Sequence, residues 1–521
     1  MNTRLRGPRR GFSSQMVNRV VGALQRSNRT AAQSAWLSAV HAHVIAQKPG
    51  LAPVLSEILG VEPTSADLFA DLAIGEIGVC YEALLAHIDS DSRRDRGQFF
   101  TPDDAAHFMA ERAATFPEGV WLDPCCGVGS LAWHLASVQD DPADFVAKRL
   151  VLMDKDRVAL LSAIALIAGE FIADGDEDAV RHLYAVSQPP RDALTKKPLP
   201  AHDFVIVNPP YARATAPACI ERTVPCQDLF AYFMERVALS SRGFVAVTPA
   251  SYLSAPKFEP MRAVLDEAMS GGDVYVFDNV PDTLFRGYKY GSNNTSKTNF
   301  VRAAITVCSP TYDSWRVTPI LRWKAVSRSR MFENASTFLA PRQTGPTGEW
   351  AKLMPGVETA WTRLLREPRR LRDLLSKRET PWRLDVGTTP RYYISASTRP
   401  LDRGSKAELY FPSRESRDLA LLVLNSSLPY LMWRALDGGV TLPKRVLLAV
   451  PIPDLPGDHS DLVERLIDSC ESNVVTKLNA GRDNENVHHS ESLVRALDEL
   501  VMPEAAAALN TLYSPDMFAT S

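Results

Sequence analysis

No acid occurs before Glu57, although Arg4, Arg6, Arg9, Arg10, Arg19, Arg26, Arg29 and Lys48 already stand in the chain. This end is locally positive, which suits either a solvated arm and helix face or a surface that contacts phosphates. No apolar run approaches the about 20 residues that a membrane-spanning helix needs. The basic start MNTRLRGPRRGFSSQ also lacks the apolar stretch and small-residue cleavage site of a secretory signal. The sequence accordingly reads as a soluble, cytoplasmic chain with no membrane partner. Cysteine is scarce and scattered: its 7 residues form neither a pair of CxxC motifs for zinc nor a disulfide network, so no metal centre is expected. There is no internal repeat and no long low-complexity tract, which sets aside solenoids. A net charge of −3 neither requires nor excludes nucleic acid, because a basic face can sit within a balanced total.

A chain of 521 residues is too long for one hydrophobic core and predicts two or three domains. Up to residue 94, stretches such as SAWLSAVHAHVIAQ and DLAIGEIGVCYEALLAHI return apolar residues every three or four positions, which predicts a helical domain with a basic arm. From 95 to 309 short apolar runs (GVWLDP, RLVLMDKD, DFVIVNPP, GFVAVTP, DVYVFDNV) alternate with helical patterns. That alternation predicts an α/β fold with a largely parallel, doubly wound, Rossmann-like sheet. From 310 to 521 Pro, Arg and Trp are frequent and periodicity is weak until SRDLALLVLNSSLPYLMWRAL, which reads as one helix. A separate α+β domain is expected there.

In the sheet region the polar residues fall at strand ends. WLDPCCGVGSL sets Asp123 at the end of one strand, followed by Cys125, Gly127 and Gly129 in a turn leading into a helix. Such turns let a ligand approach bare backbone at the carboxyl ends of strands, although a glycine turn alone serves structure equally well. VLMDKD ends the next strand at Asp154, which suits either ribose hydroxyls or a helix cap. RDAL then brings Asp192 and Ala193, and FVIVNPPYARA runs a buried strand into Asn208, Pro209, Pro210 and Tyr211. The ordered succession of all four separates a binding site from four unrelated turns.

Together with QFFTP (98–102), the series DPCCGVGSL, MDKD, RDAL and NPPY resembles the gamma-class N6-adenine DNA methyltransferases. QDLFAYFMERVALSSRGFVAVTPASYL resembles the helix and strand that follow in that family, and DTLFRGYKYGSNNTSKTNFVRAAITV its last catalytic motif, here with a long polar loop. The segment ending in GVCYEALL is similar to the helical N-terminus of type I modification subunits. ALLVLNSSLPYLMWRAL followed by VPIP resembles, more loosely, the target recognition domains of type I specificity subunits and type IIG enzymes.

The resemblance implies a class I methyltransferase fold that uses S-adenosyl-L-methionine. It places Asp123 near the methionine amino group, Asp154 on the ribose and Asp192 on the cofactor adenine amino group, with Cys125, Gly127 and Gly129 in the turn. Thr101 would close the methionine end, Ala193 would lie beside the cofactor adenine and Phe233 at its edge. Thr101 and Asp192 also suit helix caps, and Phe233 a core position. NPPY has a chemical rationale: the ring-conjugated amine of adenine must free its lone pair to attack a sulfonium methyl. The Asn208 side-chain oxygen and the Pro209 carbonyl can accept its two hydrogens and favour a tetrahedral nitrogen. Pro209 and Pro210 stiffen the loop, and Tyr211 offers a ring to a flipped base. Phe285 matches the second stacking aromatic, ahead of Phe300. Lys289 and Lys297 stand in the inserted loop, where double-stranded DNA would pass.

Further DNA contacts are expected from Arg316, Arg322 and Lys324, interleaved with Trp315 and Trp323, and from Arg391 and Arg399 beside Tyr392, Tyr393 and Arg403. A solvated surface strand explains either cluster as well. No constellation of spaced acids and lysine marks a nuclease, so the chain reads as site-specific modification without restriction. Three alternatives remain at this level: a modification subunit served by a separate specificity or restriction subunit, a protein-glutamine or RNA-guanine methyltransferase, and an inactive DNA-binding scaffold. QFFTP and the large C-terminal region oppose the second, and the presence of every residue the chemistry needs opposes the third.

Overall fold

The computed structural model describes residues 14–26, 28–88, 101–285, 301–390, 392–479 and 482–519. It divides into two compact units. The first comprises Met1–Tyr252, Lys257–Asn279 and Thr283–Trp315, and the second Leu253–Pro256, Val280–Asp282 and Arg316–Ser521.

In the first unit, strands β1 (Trp121–Asp123), β2 (Leu150–Leu152), β3 (Phe204–Val207), β4 (Gly243–Pro249), β5 (Gly272–Phe277) and β6 (Ala303–Cys308) lie in the order β2-β1-β3-β4-β6-β5. The β2-β1-β3-β4 run is parallel, and β6 is antiparallel to both β4 and β5. Every residue of these strands is buried, as expected of a sheet covered on both faces. The chain leaves β1 for β2 on one side and returns to β3 on the other. The carboxyl ends of β1 and β3 therefore flank a topological switch point, where doubly wound sheets bind ligands. This is an α/β class I S-adenosylmethionine-dependent methyltransferase-like fold, with a helical region before it and an α+β region after it.

The described helices before residue 94 fall within the first unit. Helix Arg29–Ile45 packs on helix Arg157–Phe171, where a Cβ on Gly169 would meet Val44 Cγ1 at 2.8 Å. Trp36, fully buried, donates its Nε1 hydrogen to Ser162 Oγ at 2.9 Å. Helical periodicity finds these helices but not their partner, since either a self-contained bundle or a flank to the sheet buries the same stripe.

The second unit holds a three-stranded antiparallel sheet (Ala396–Ser397, Arg383–Gly387, Lys406–Tyr410) with helices Arg414–Leu424, Leu428–Leu436, Ser460–Ser472 and Glu491–Val501. Trp361, Leu384, Phe411, Leu421, Tyr430, Trp433 and Leu497 belong to its core. The segment expected as one helix is two, bent by 61°. Pro429 stands in the first turn of the second helix, and Asn425 Nδ2 bonds the Leu421 and Ala396 carbonyls at the break. Among the described residues no single helix is long and apolar enough to cross a membrane; this bent pair passes such a test only jointly.

Candidate active site

β1 ends at Asp123, 1% exposed, whose Oδ1 accepts from the Cys125 amide at 3.3 Å. Gly127 and Gly129 take positive φ (53° and 94°), and a Cβ on Gly129 would meet Ala163 Cβ at 3.0 Å. Larger residues there would strain the turn and push away helix Arg157–Phe171. Asp154, after β2, ties this turn to its neighbour. Its Oδ2 accepts from the Gly127 amide at 2.9 Å and its Oδ1 from the Asp156 amide at 2.8 Å. A carboxylate has about four acceptor positions, so these two bonds leave Asp154 able to accept more.

Burial pushes the Asp123 carboxyl well above its ordinary range, and the nearby Asp154 charge adds to this. Asp154 is pushed up to about 6 by burial, against the two amide bonds that favour its charged form. Both acids accept from backbone amides of adjoining turns, and carboxylates so placed can also accept from the hydroxyl and ammonium donors of a ligand such as S-adenosylmethionine. The RDAL segment lies alongside, since the Arg191 amide donates to the Asp154 carbonyl at 2.9 Å. Asp192 is exposed and accepts from the Leu194 amide at 2.8 Å, a local cap, while Ala193 is buried. Phe233 is 6% exposed within helix Leu229–Ser240.

β3 pairs with β4 up to Val207↔Ala246, and then Asn208, Pro209 and Pro210 leave the sheet. Neither proline can donate to a ladder. Among the contacts that hold Asn208, Nδ2 donates to Thr101 Oγ1 at 3.0 Å, Oδ1 accepts from the Tyr211 hydroxyl at 2.8 Å, and its carbonyl accepts from Cys125 Sγ at 3.3 Å. The glycine turn and the NPPY loop are thereby in direct contact. Burial, with the charges of Asp123 and Asp154, pushes the Cys125 thiol up, so it stays protonated and can donate. The Tyr211 hydroxyl also lies 2.9 Å from the Val247 carbonyl. Burial of that hydroxyl raises the phenol well above its ordinary range.

The Tyr211 ring stands edge-on to Phe285 (6.0 Å, 70°) and to Phe230 (6.2 Å, 82°). Helix Leu229–Ser240 braces the loop, with the Leu229 amide donating to the Ala212 carbonyl at 2.9 Å and the Tyr232 hydroxyl to the Ala214 carbonyl at 2.9 Å. The structure thus brings Thr101, Cys125, Asn208, Tyr211 and Phe285 together around one loop. Phe300, Lys289, Lys297 and Arg391 lie outside the described residues.

Several expected DNA contacts are engaged elsewhere. Arg322 is 3% exposed, and its guanidinium donates to the Tyr430 hydroxyl at 3.2 Å and to the Leu512 carbonyl. Arg399 pairs with Glu485 at 2.9 Å, and Arg403 bonds Asn486 and the Ser405 carbonyl. Trp315 and Trp323 are buried rather than offered to bases. Of Arg316, Arg322 and Lys324, Arg316 and Lys324 are exposed. A buried charge must find partners, and the second unit supplies them internally.

Composition did not indicate Phe230, the Val247 carbonyl or Tyr81. The Tyr81 hydroxyl donates to Asp156 Oδ2 at 2.8 Å while Asp156 Oδ1 caps the following helix at the Val158 amide. Its place in GVCYEALL, shortly before QFFTP, was the available signal.

Residues 73–228 match the family model described as N-6 DNA Methylase. Among solved structures the chain is similar to the type IIG restriction endonuclease BpuSI, at 13% identity over 96% of this chain and 79% of that chain, with a TM-score of 0.46. It is also similar to the type ISP restriction-modification enzyme LlaBIII bound to DNA (12% identity, 92% of this chain, 38% of that chain, TM-score 0.40). A third is the type I restriction-modification methyltransferase subunit from Streptococcus thermophilus (18% identity, 51% of this chain, 55% of that chain, TM-score 0.32). No curated protein matches the chain. The family match spans the glycine turn, Asp154 and the NPPY loop in one segment, and this chain therefore carries an N6-adenine DNA methyltransferase domain on a class I methyltransferase fold.

Proposed function

We propose that the chain is the modification component of a restriction-modification-type system and methylates the N6 of a flipped adenine in duplex DNA, using S-adenosyl-L-methionine. The observation that carries this reading is the contact between the two halves of the chemistry. Asn208, the amino-group acceptor, touches Thr101 and Cys125 of the cofactor segments and Tyr211 of the base pocket.

The cofactor would supply an electrophilic sulfonium methyl. Asp154 would hold its ribose, Asp123 its amino group and Asp192 its adenine, with Gly127 and Gly129 giving access to backbone. Asn208 Oδ1 and the Pro209 carbonyl would accept the N6 hydrogens, concentrating the lone pair on nitrogen as the new bond forms. Tyr211 and Phe285 would hold the extruded ring.

Site choice has two sources to weigh. The internal commitments of Arg322, Arg399 and Arg403 favour recognition by a separate specificity subunit over reading by residues 310–521 alone. Long-read sequencing of DNA from cells expressing the chain, alone and with a specificity subunit, tests both. N6-methyladenine at a defined sequence supports the proposal, and its dependence on the subunit decides the source. Methylation of cytosine, or only of protein glutamine or RNA guanine, would overturn it.

A further inference from the structure

We infer that Tyr81 is a positioning residue for the ribose side of the cofactor site, acting through Asp156 on Asp154. The inference rests on the proposed assignment of Asp154 to the cofactor ribose and adds to it the residue that aims that acid. The Tyr81 hydroxyl, on a side chain 3% exposed, donates to Asp156 Oδ2 at 2.8 Å. The other Asp156 oxygen accepts from the amides of Val158 (2.9 Å) and Ala159 (3.4 Å) and so caps helix Arg157–Phe171. The Asp156 amide in turn donates to Asp154 Oδ1 at 2.8 Å, while the Gly127 amide holds Asp154 Oδ2 at 2.9 Å. Turning the Asp156 carboxylate would break its bonds on one side or the other, so its plane is set by the cap and by Tyr81 together. Hydrogen bonds weaken steeply when bent, and the direction of the Asp156 amide thus governs which way Asp154 presents its remaining acceptor positions.

Tyr81 is itself anchored. It stands on helix Ile74–Ile88 with its ring 4.9 Å from that of Trp36, and Trp36 Nε1 donates to Ser162 Oγ in the same helix that Asp156 caps. The helices that precede the sheet therefore grip helix Arg157–Phe171 at its cap and again at its second turn. Helix Ile74–Ile88 also reaches the segment assigned to the methionine end. The Gly75 amide donates to Asp103 Oδ1 at 3.0 Å, just beyond Thr101, and a Cβ on Gly75 would meet that oxygen at 2.7 Å. One helix thus touches the segments proposed for both ends of the cofactor, and Tyr81 is its contact on the ribose side. Without the hydroxyl, Asp156 Oδ2 loses a charge-assisted donor, the carboxylate is free to turn, and the Asp156 amide follows it away from Asp154.

The test uses the full chain in calorimetry with S-adenosyl-L-homocysteine, the demethylated cofactor, and with its analogue lacking both ribose hydroxyls. Y81F removes only the hydroxyl, and D156S keeps a capping oxygen but cannot reach Tyr81. Y81F should weaken binding of S-adenosyl-L-homocysteine about threefold to tenfold, a part of the worth of a hydrogen bond to a charged group. D156S should do the same, and the double variant should lose no more than either alone, because both cut one link. The analogue without hydroxyls should bind all forms alike, so the ratio of the two affinities falls with the link. Melting temperatures check that each variant is folded, and D156S with the same two ligands tests the link by itself if Y81F is not. Wild-type affinity in the folded variants, an equal loss for both ligands, or losses that add in the double variant would overturn the role of Tyr81 and leave the ribose assignment standing. A wild-type chain that binds both ligands equally well would overturn that assignment and this inference with it.

Discussion

Two buried carboxylates, one in each unit, are held in opposite ways. In the first, Asp154 meets two backbone amides, and burial leaves its pKa pushed up to about 6. In the second, Asp385 is also buried, but Arg383, the Leu401 amide and Lys406 hold it below its ordinary range against that burial. The difference is what would distinguish a binding carboxylate from a structural one. A carboxylate neutralised by its own chain has no electrostatic reason to bind anything else, whereas one held only by amides still gains from a ligand's donors. The same contrast extends to cations, since Arg322, Arg399 and Arg403 are used up inside the second unit.

The sharpest test of that contrast is at Asn208. Asn208→Ala should lower single-turnover methylation about a hundredfold or more, the usual cost of one preorganised hydrogen-bonding group. Cofactor affinity, measured by calorimetry, should stay near wild type. A parallel loss of both would show that Asn208 belongs to the cofactor site.

Next in size is Asp154. Asp154→Ala should weaken cofactor binding by about 1.5–3 kcal/mol, the worth of hydrogen bonds to a charged group. The pH dependence has a definite sign. Cofactor affinity should rise as pH increases through about 6, because the carboxylate form accepts from hydroxyls, and D154N should lack that rise. Stability runs the other way. With the folded pKa raised above 3.8, the folded chain keeps a proton that the unfolded chain releases, so Asp154 costs stability above about 6 and nothing at low pH. D154N removes that cost but also turns one of the two amide acceptors into a donor, so its Tm at neutral pH should stay close to wild type. A marked fall in Tm there would make Asp154 a strut like Asp385.

Asp385→Asn is the counterpart. Its lowered pKa contributes stability above the unfolded value of 3.8, lost as pH falls through the folded one. Arg383 and Lys406 remain 27% and 22% exposed, so solvent screens the pairing. The loss should be about 1–2 kcal/mol, below that of a fully buried pair. Cofactor affinity should not change.

The two units also differ in how far they were legible. Asp123, the glycine turn, Asp154 and NPPY sit where strands end, and strand ends are marked by apolar runs and by Gly and Pro. Backbone geometry then dictates where their side chains go. The grip of Thr101 on Asn208 joins positions 107 apart in the chain, and no local pattern encodes it. In the second unit the cues were residue types alone. Arg316 and Arg322 read alike in sequence, yet one is exposed and the other 3% exposed, because its partners Tyr430 and Leu512 lie more than a hundred residues away. The kink at Asn425–Ser427 escaped for a related reason: apolar periodicity continues through it, and Pro429 reads equally as a first-turn residue of a new helix or a fault in an old one.

The smallest effect, and the one that decides where sequence is read, concerns Arg316 and Lys324. Both are exposed, on the strand and turn that were expected to meet DNA. Replacing both by Ala spares the interior, whereas replacing Arg322 would strand the Tyr430 hydroxyl and the Leu512 carbonyl and confuse folding with binding. If the two side chains contact phosphates, the log–log salt dependence of duplex binding by the chain alone should flatten by about 0.9 for each, near 1.8 together. Preference among sequences should hold, since phosphate contacts carry no sequence information directly. An unchanged slope, with site-selective binding appearing only when a specificity subunit is added, would assign recognition to that partner. The second unit would then be what its internal ion pairs already suggest, a body that spends its arginines on its own fold.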